Sequence, residues 1–426
     1  MVSDIAKHLM GIFFMKNEVD ARSKKMAEDG RSVSGVGVLG AGLMGAGIAG
    51  VLVRKGADVV MKDRDFDALA DGTEYVAERI RERTRRRKMT EVEGKEALAR
   101  LHPTVLYVPF DHLDFVIEAV FEDLEIKRTV LEETESVAEE NLIFASNTST
   151  IPIAEIAEAS RRPENVVGMH FFSPVHKMPL LEVIRHPETS EETVATTVAL
   201  GRRMGKTVIV VNDGPGFFTS RVLGPYVNEA VWCLSQGARI EAVDEALTRW
   251  GWPVGALTLL DEVGLDVGHH AGQVMLEHFG DRLEVPPAFQ TMIDEGRKGR
   301  KSGRGFYRYE DGEKAGPDEA VYELLDWEES GVPASEISER CWLQMLNEVA
   351  RTLEDGVIEN PADVEIGVIF GLGFPPFRGG ILRHADEIGL STVVERLDHY
   401  RDRYGHRFEA ADLLRKKAEE GATFHP

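Results

Sequence analysis

Residues 35 to 63 read GVGVLGAGLMGAGIAGVLVRKGADVVMKD, and their order decides the fold. The short apolar run Val36 to Leu39 predicts a buried strand. It leads into Gly40, Gly42 and Gly45, a G-x-G-x-x-G, and apolar residues at helical spacing follow at Ile48, Val51 and Leu52. A second apolar run, Val59 to Met61, ends at Asp63. The glycines differ in what they permit. Gly40 allows a tight turn, Gly42 lets backbone approach a pyrophosphate, and Gly45 lets helix and strand pack closely. The helix N-terminus then faces negative charge. A carboxylate roughly 20 residues past the motif accepts hydrogen bonds from a ribose 2′-hydroxyl and repels a 2′-phosphate. Asp63 stands there, favouring NAD over NADP, with Arg64 beside it as a contrary charge. A glycine-rich turn alone would not bring strand, helix, second strand and terminal acid in this order.

Further strand-like runs are Phe115 to Ile117, Leu142 to Ala145, Val166 to Met169, Leu181 to Ile184 and Val208 to Val211. Helical patterns separate the earlier ones, the alternation of a Rossmann-type α/β domain with a doubly wound, mostly parallel sheet. Ligands in such sheets lie beyond the carboxyl ends of the strands. Two segments start there, EAVFEDLEIK (Glu118 to Lys127) and SNTST (Ser146 to Thr150), and both are candidate cofactor and substrate contacts. The plainer reading of their Ser, Asn and Thr residues is helix capping.

Residues 166 to 184, VVGMHFFSPVHKMPLLEVI, hold His170 in one apolar run and Glu182 in the next. If the runs pair antiparallel about His176, these two residues come opposite each other. A carboxylate inside LLEVI is costly without a partner. An imidazole across from it supplies one, and the pairing orients the ring and raises its basicity, as a general base needs. A structural strand histidine, with Glu182 paired to some other cation, is the competing reading.

The chain has 426 residues and a formal net charge of −23. A polyanion is repelled by that charge, so nucleic acid is excluded as a partner. No apolar run reaches the length of a membrane span, which argues against integral membrane association. Two cysteines, Cys233 and Cys341, imply no disulfide framework and point to a reducing compartment, the cytoplasm or an equivalent such as the mitochondrial matrix. Against this acidic background a basic run stands out, RIRERTRRRK from Arg79 to Lys88.

Beyond the Pro/Gly cluster at 212–216 helical patterns dominate, and a repeat is visible. NEAVWCLSQG (Asn228 to Gly237), Asp244, GWPVG and LLDEVG recur as NEVARTLEDG (Asn347 to Gly356), Asp363, GFPPF and ADEIG. Ordered matches of this kind predict a duplicated all-α domain. The expected organisation is a connecting helix and linker over 1–30, a dinucleotide-binding domain over 31–214, a first helical domain over 215–311, a connector over 312–333 and a second helical domain over 334–426.

The runs HFFSPVHKMPLLEV, FASNTST, VVNDGPGFF and KSGRGFYRY resemble the L-3-hydroxyacyl-CoA dehydrogenases. FGLGFPPFRGG resembles the dehydrogenase half of the multifunctional α-subunit of fatty acid oxidation complexes. The likeness spans about residue 8 to the end. It implies NAD-dependent oxidation of (S)-3-hydroxyacyl-CoA in β-oxidation, with His170 as the base, Glu182 as its orienting partner and Ser149 bonding the substrate hydroxyl. It implies cofactor contacts at Gly40, Gly42, Met44, Gly45, Asp63, Val120, Glu122, Lys127, Ser149 and Ser173, and substrate contacts at Ser149, Ser173 and Ser220. Ser173 and Ser220 stand where many members have Asn; serine keeps a hydroxyl but has less reach. An acyl-CoA substrate gives the basic run a function, in which Arg83, Arg86, Arg87 or Lys88 holds CoA phosphates. The competing reading is a solvated helix face. A thiolase or a separate hydratase subunit is the protein partner the resemblance suggests.

Two other functions compete: a dehydrogenase of a free 3-hydroxy acid, and a non-catalytic NAD-binding scaffold within a β-oxidation assembly. The HFFSPV motif opposes the first, and intact His170 and Glu182 oppose the second. Residues 4 to 15, apolar at Ile5, Leu9, Ile12 and Phe13, resemble the end of a helix that joins a hydratase domain to the dehydrogenase. That face needs cover, from the second helical unit or from a separate hydratase. About 30 residues before the first strand are too few for a hydratase domain, so the expectation is oxidation without hydration.

Overall fold

The computed structural model describes residues 3–425. Residues 14–217 form one compact unit, and residues 3–13 with 218–425 form the other. The helix α1 (Asp4–Ala27) contributes to both.

The first unit is built on strands β1 (Gly35–Leu39), β2 (Asp58–Lys62), β3 (Leu101–Thr104), β4 (Phe115–Glu118), β5 (Ile143–Ser146), β6 (Val166–Phe171), β7 (Leu180–Arg185) and β8 (Thr207–Asn212). They form one sheet in the order β3-β2-β1-β4-β5-β6-β7-β8. All neighbours are parallel except β6 and β7. Helices α2 (Leu43–Arg54), α3 (Phe66–Arg85), α4 (Glu91–Ala99), α5 (Leu124–Val137), α6 (Ile153–Ala157) and α7 (Glu191–Arg203) connect them. The strands β1, β4, β5, β6 and β7 are almost wholly buried, so they read as continuous apolar runs. The exception is β3, whose sequence LHPT has no apolar signature. It is an edge strand, where the missing N–H of Pro103 costs no ladder bond. The strand order reverses between β1 and β4, and this switch point is where such sheets open a crevice for ligands.

The second unit contains α8 (Thr219–Ser235), α9 (Ile240–Trp250), α10 (Ala256–Val263), α11 (Leu265–Phe279) and α12 (Ala288–Asp294). A hairpin of β9 (Tyr307–Glu310) and β10 (Glu313–Pro317) follows, then α13 (Ala320–Leu324). The stretch read as a connector therefore carries structure, and Trp327 ties it down by donating to Ala238 O at 3.1 Å. The remaining helices are α14 (Ala334–Glu354), α15 (Pro361–Leu372), α16 (Ile381–Ile388), α17 (Leu390–Tyr404) and α18 (Asp412–Glu420).

The repeat is visible as hydrogen bonding. Asp261 accepts backbone N–H bonds from Phe306 and Tyr307 at 3.0 and 2.9 Å. Asp386 accepts the corresponding pair from Phe424 and His425, both at 2.9 Å. Each copy thus clamps its own trailing segment with one carboxylate. The copies meet where α8 packs along α14. There Arg221 donates to Glu348 at 2.7 Å, and Arg340 donates to Glu229 at 2.8 Å. The two pairs are the same contact with the partners exchanged, which is the signature of a two-fold interface, here within one chain. Cys233 and Cys341, on these same helices, are buried free thiols.

The start of α1 is partly covered by the second copy. His8 bonds Phe377 O at 2.7 Å and Glu387 Oε1 at 2.6 Å, and Ile12 is buried. Ile5, Leu9 and Phe13 lie at 54%, 48% and 60% exposure, so most of the expected apolar face is still open. No helix among the described residues is long and apolar enough to cross a membrane.

Candidate active site

The carboxyl ends of β1, β2, β4 and β5 gather most of the predicted cofactor residues. Gly40 has φ +98°, and a Cβ there would sit 2.4 Å from Ala119 O. At Gly45 a Cβ would lie 1.9 Å from Gly40 O, so neither position admits a side chain. Gly42 is the opposite case: no atom lies within 4 Å of its would-be Cβ. It caps α2 without a side-chain acceptor. No N-cap side chain takes an N–H group of that first turn, which leaves its donors for a pyrophosphate. Met44 is half-buried in the same turn. Asp63, at the end of β2, accepts the N–H of Ala41 at 2.7 Å, which fixes one carboxylate oxygen against the glycine turn.

A buried ionic network lies at the ends of β4 and β5. Lys127, 1% exposed, reaches Glu118 at 2.8 Å and Glu122 at 3.1 Å. Glu118 also accepts the N–H of Val120 at 2.7 Å and the hydroxyl of Ser146 at 2.6 Å. Glu122 accepts from the Thr148 hydroxyl at 2.6 Å and from the N–H of Ser149 at 2.9 Å. Burial alone would lift the Glu122 carboxyl; Lys127 and these donors hold it below its ordinary value. Burial likewise opposes charge on Lys127, but Glu118 and Glu122 raise it above its usual range. The network locks the SNTST segment, with Ser149 itself exposed.

The strands β6 and β7 pair in the expected register, with His170 opposite Glu182. Nδ1 of His170 lies 3.0 Å from Glu182 Oε2; the histidine is 6% exposed and the glutamate 0%. Phe172 flanks the imidazole at 4.7 Å and Phe217 at 6.2 Å. Asn147 Oδ1 accepts the N–H of Phe171 at 2.9 Å, tying the Ser149 segment to the histidine strand. Ser173 is exposed in the β6–β7 connection. Ser220 lies half-buried on α8, in the other unit.

The basic run does not form one site. Arg81 and Arg85 pair with Glu74 and Glu78 on their own helix, as a solvated face would, while Arg79 and Arg86 pair with Glu82. Arg87 and Lys88 line a shallow depression with Thr90 and Glu93. Arg83 instead lines a cleft between α2 and α3 with Arg54, Arg79, Glu82 and His176. In that cleft Nε of Arg79, Nε of Arg83 and Nδ1 of His176 are buried without a hydrogen-bond partner. Burial, then Lys177, Arg79 and Arg54, hold His176 below its ordinary pKa. Sequence reading missed Arg54 and His176 here, because neither lies in the run that marks the cluster. Glu118 and Asn147 lie inside the two segments read as candidate contacts, but their partners, Lys127, Ser146 and the Val120 N–H for the acid and the Phe171 N–H for the amide, come only with the fold.

Residues 35–214 match the NAD binding domain of 3-hydroxyacyl-CoA dehydrogenase, and residues 216–309 and 337–423 match its C-terminal domain twice over. The chain is 47% identical over 370 residues to a fatty acid oxidation complex subunit alpha of Shewanella frigidimarina, covering 86% of this chain and 52% of that protein. It is 44% identical over 427 residues to the subunit alpha of Vibrio parahaemolyticus, covering 100% of this chain and 60% of the relative. It thus spans between half and two thirds of these curated relatives. Among solved structures, a 3-hydroxybutyryl-CoA dehydrogenase of Escherichia coli K12 superposes with TM-score 0.81 at 26% identity, covering 92% of this chain and 99% of that one. An (S)-3-hydroxybutyryl-CoA dehydrogenase of Ralstonia eutropha gives TM-score 0.64 at 37% identity, covering 66% and 100%.

Proposed function

We propose that this chain, which belongs to the 3-hydroxyacyl-CoA dehydrogenase family, oxidises the 3-hydroxyl of (S)-3-hydroxyacyl-CoA to the 3-oxo group with NAD as cofactor, as a step of β-oxidation. The observation that carries this reading is the buried His170–Glu182 pair on paired strands, in the same unit as a glycine turn shaped for a dinucleotide. With Nδ1 facing the carboxylate, the ring keeps its proton on that side and takes the substrate hydroxyl proton at Nε2. The buried carboxylate of Glu182 then stabilises the imidazolium that forms. Ser149 and Ser173 would hydrogen-bond the reacting oxygen and the cofactor. NAD, when bound, accepts the hydride that leaves C3. The α2 N-terminus, with Met44 beside it, would hold the pyrophosphate, and Val120, Glu122 and Lys127 would border the nicotinamide half.

The test is reduction of acetoacetyl-CoA by NADH, with free acetoacetate as control. Turnover of the thioester alone supports the reading. Turnover of the free acid, or of neither, rejects it.

Cofactor choice follows from Asp63. Its Ala41 bond means that an alanine would lose structure as well as charge. Asp63→Asn keeps an acceptor and removes the charge. It should narrow the preference for NADH over NADPH about tenfold, the worth of about 1.4 kcal/mol of repulsion. Equal use of both cofactors by the unmodified protein would contradict this.

The cleft makes Arg83 the member of the basic run best placed for CoA phosphate. Arg83→Glu should raise the KM for acyl-CoA about tenfold, since a hydrogen bond to a charged group contributes about 1.5–3 kcal/mol. The KM for NADH should stay put. Arg81→Glu, on the self-paired face, should leave both unchanged. An unaltered acyl-CoA KM in Arg83→Glu would remove Arg83 from the CoA contacts.

A further inference from the structure

The connection between β6 and β7, residues 172–179, carries Ser173 and begins two residues after His170. Its own backbone bonds are few: Pro174 O accepts from Lys177 and Met178, and Pro179 O from Thr207. What holds it from beneath is Lys206, 9% exposed and just ahead of β8. Its Nζ donates to Val175 O at 2.5 Å and to Met178 O at 2.6 Å. On the other side, the buried Val175 wedges against α2. A Cβ on Gly47 would lie 3.0 Å from Val175 Cγ2, so loop and helix are in direct contact.

An ammonium in this position is expensive. Among the described residues its hydrogen-bond acceptors are these two carbonyls and no carboxylate, with the Phe171 ring 5.9 Å from Nζ, and burial together with Arg54 lowers its pKa to about 8. An apolar side chain of similar length would fill the space without that cost. The lysine does one thing that such a side chain cannot. It draws two carbonyls of one irregular connection onto a single point of the sheet.

We propose that Lys206 is a positioning residue of the reaction, which clamps the β6–β7 connection against α2 and so sets the distance of His170 and Ser173 from the cofactor. The inference rests on the dehydrogenase reading. Two groups anchored on different elements, the histidine strand and the cofactor helix, must stay aligned to within a fraction of an ångström for proton and hydride to leave together. A misplacement of about 1 Å costs about 10²-fold in rate.

The experiment compares Lys206→Met, Lys206→Gln and Lys206→Arg in the full chain. Each is assayed for kcat with acetoacetyl-CoA, NADH affinity by fluorescence, and amide hydrogen exchange over 175–178. Lys206→Met should lower kcat about 10²-fold with NADH affinity nearly intact, and exchange in the connection should quicken. Lys206→Arg, which keeps charge and donors, should recover most of the rate. Lys206→Gln keeps a donor for one carbonyl and is read in place of the methionine variant if that chain does not fold. Unchanged kcat in a folded variant, a parallel loss of kcat and NADH affinity, or unfolding of both variants would overturn the proposal, the last two because the lysine would then serve only stability. Absence of turnover in the unmodified protein would reject the dehydrogenase reading instead, and the exchange measurement would still decide whether the clamp exists.

Discussion

His170→Gln should lower turnover of acetoacetyl-CoA by at least about 10²-fold, the usual cost of losing a general base. NADH should still bind, because the glycine turn, Asp63 and the Glu118–Lys127–Glu122 network are held by bonds of their own on other strands. Glutamine is the informative replacement. Its amide can donate to Glu182 and so spare the buried carboxylate an empty partner site, which keeps the strand pair folded. It cannot take up a proton at neutral pH. A loss in kcat without loss of NADH affinity therefore isolates proton transfer from packing. Glu182→Gln should be milder in rate than His170→Gln, since it removes the charge that stabilises the imidazolium and leaves the base in place. Near-normal turnover in His170→Gln would end the acid–base reading of the pair and require another group to take the proton.

The sheet and the site were legible to different degrees, and the reasons are physical. Strands buried on both faces must be apolar throughout, so Val36–Leu39 and Val166–Met169 announce themselves. β3 lies at an edge, is half-solvated and tolerates Pro103, so nothing in LHPT marks it. The His170–Glu182 register could be read because two short runs flank one connection, and pairing them about His176 places the acid opposite an imidazole. Lys206 could not be read in this way. Its partners are backbone carbonyls some 30 residues earlier in the chain, and carbonyls leave no trace in side-chain pattern. The same holds for the cleft, where Arg54, Arg83 and His176 come from three separate segments. The repeat was legible as spacing, but its consequence was not: Arg221 and Glu229 belong to one copy, yet each pairs with the other copy.

That exchanged pairing sets the largest stability effect we expect. Glu229 is 1% exposed and serves two guanidiniums, Arg340 at 0% exposure and Arg407, whose Nε lies 2.8 Å away. Glu229→Gln leaves two cations facing each other with Glu336, 3.4 Å from Arg340, as the remaining carboxylate, beside the neutral acceptors Gln236 Oε1 and Tyr404 O. Removing one partner of a buried pair typically costs about 3–5 kcal/mol, far more than the ~0–1 kcal/mol of an exposed pair. The two units can be followed separately. All five tryptophans, at 232, 250, 252, 327 and 342, lie in the helical unit, so their fluorescence follows its unfolding alone. NADH affinity follows the other unit. The variant should shift the tryptophan transition to markedly lower urea while NADH affinity in the absence of denaturant is retained. Glu348→Gln should do the same, because Glu348 holds Arg221 at 2.7 Å and Arg282 at 2.5 Å in the mirror position. If the two variants each lose less than about 1 kcal/mol, the buried charges carry no weight at the seam. If only one does, the two halves of the interface are not equivalent, and the two-fold reading of the repeat fails.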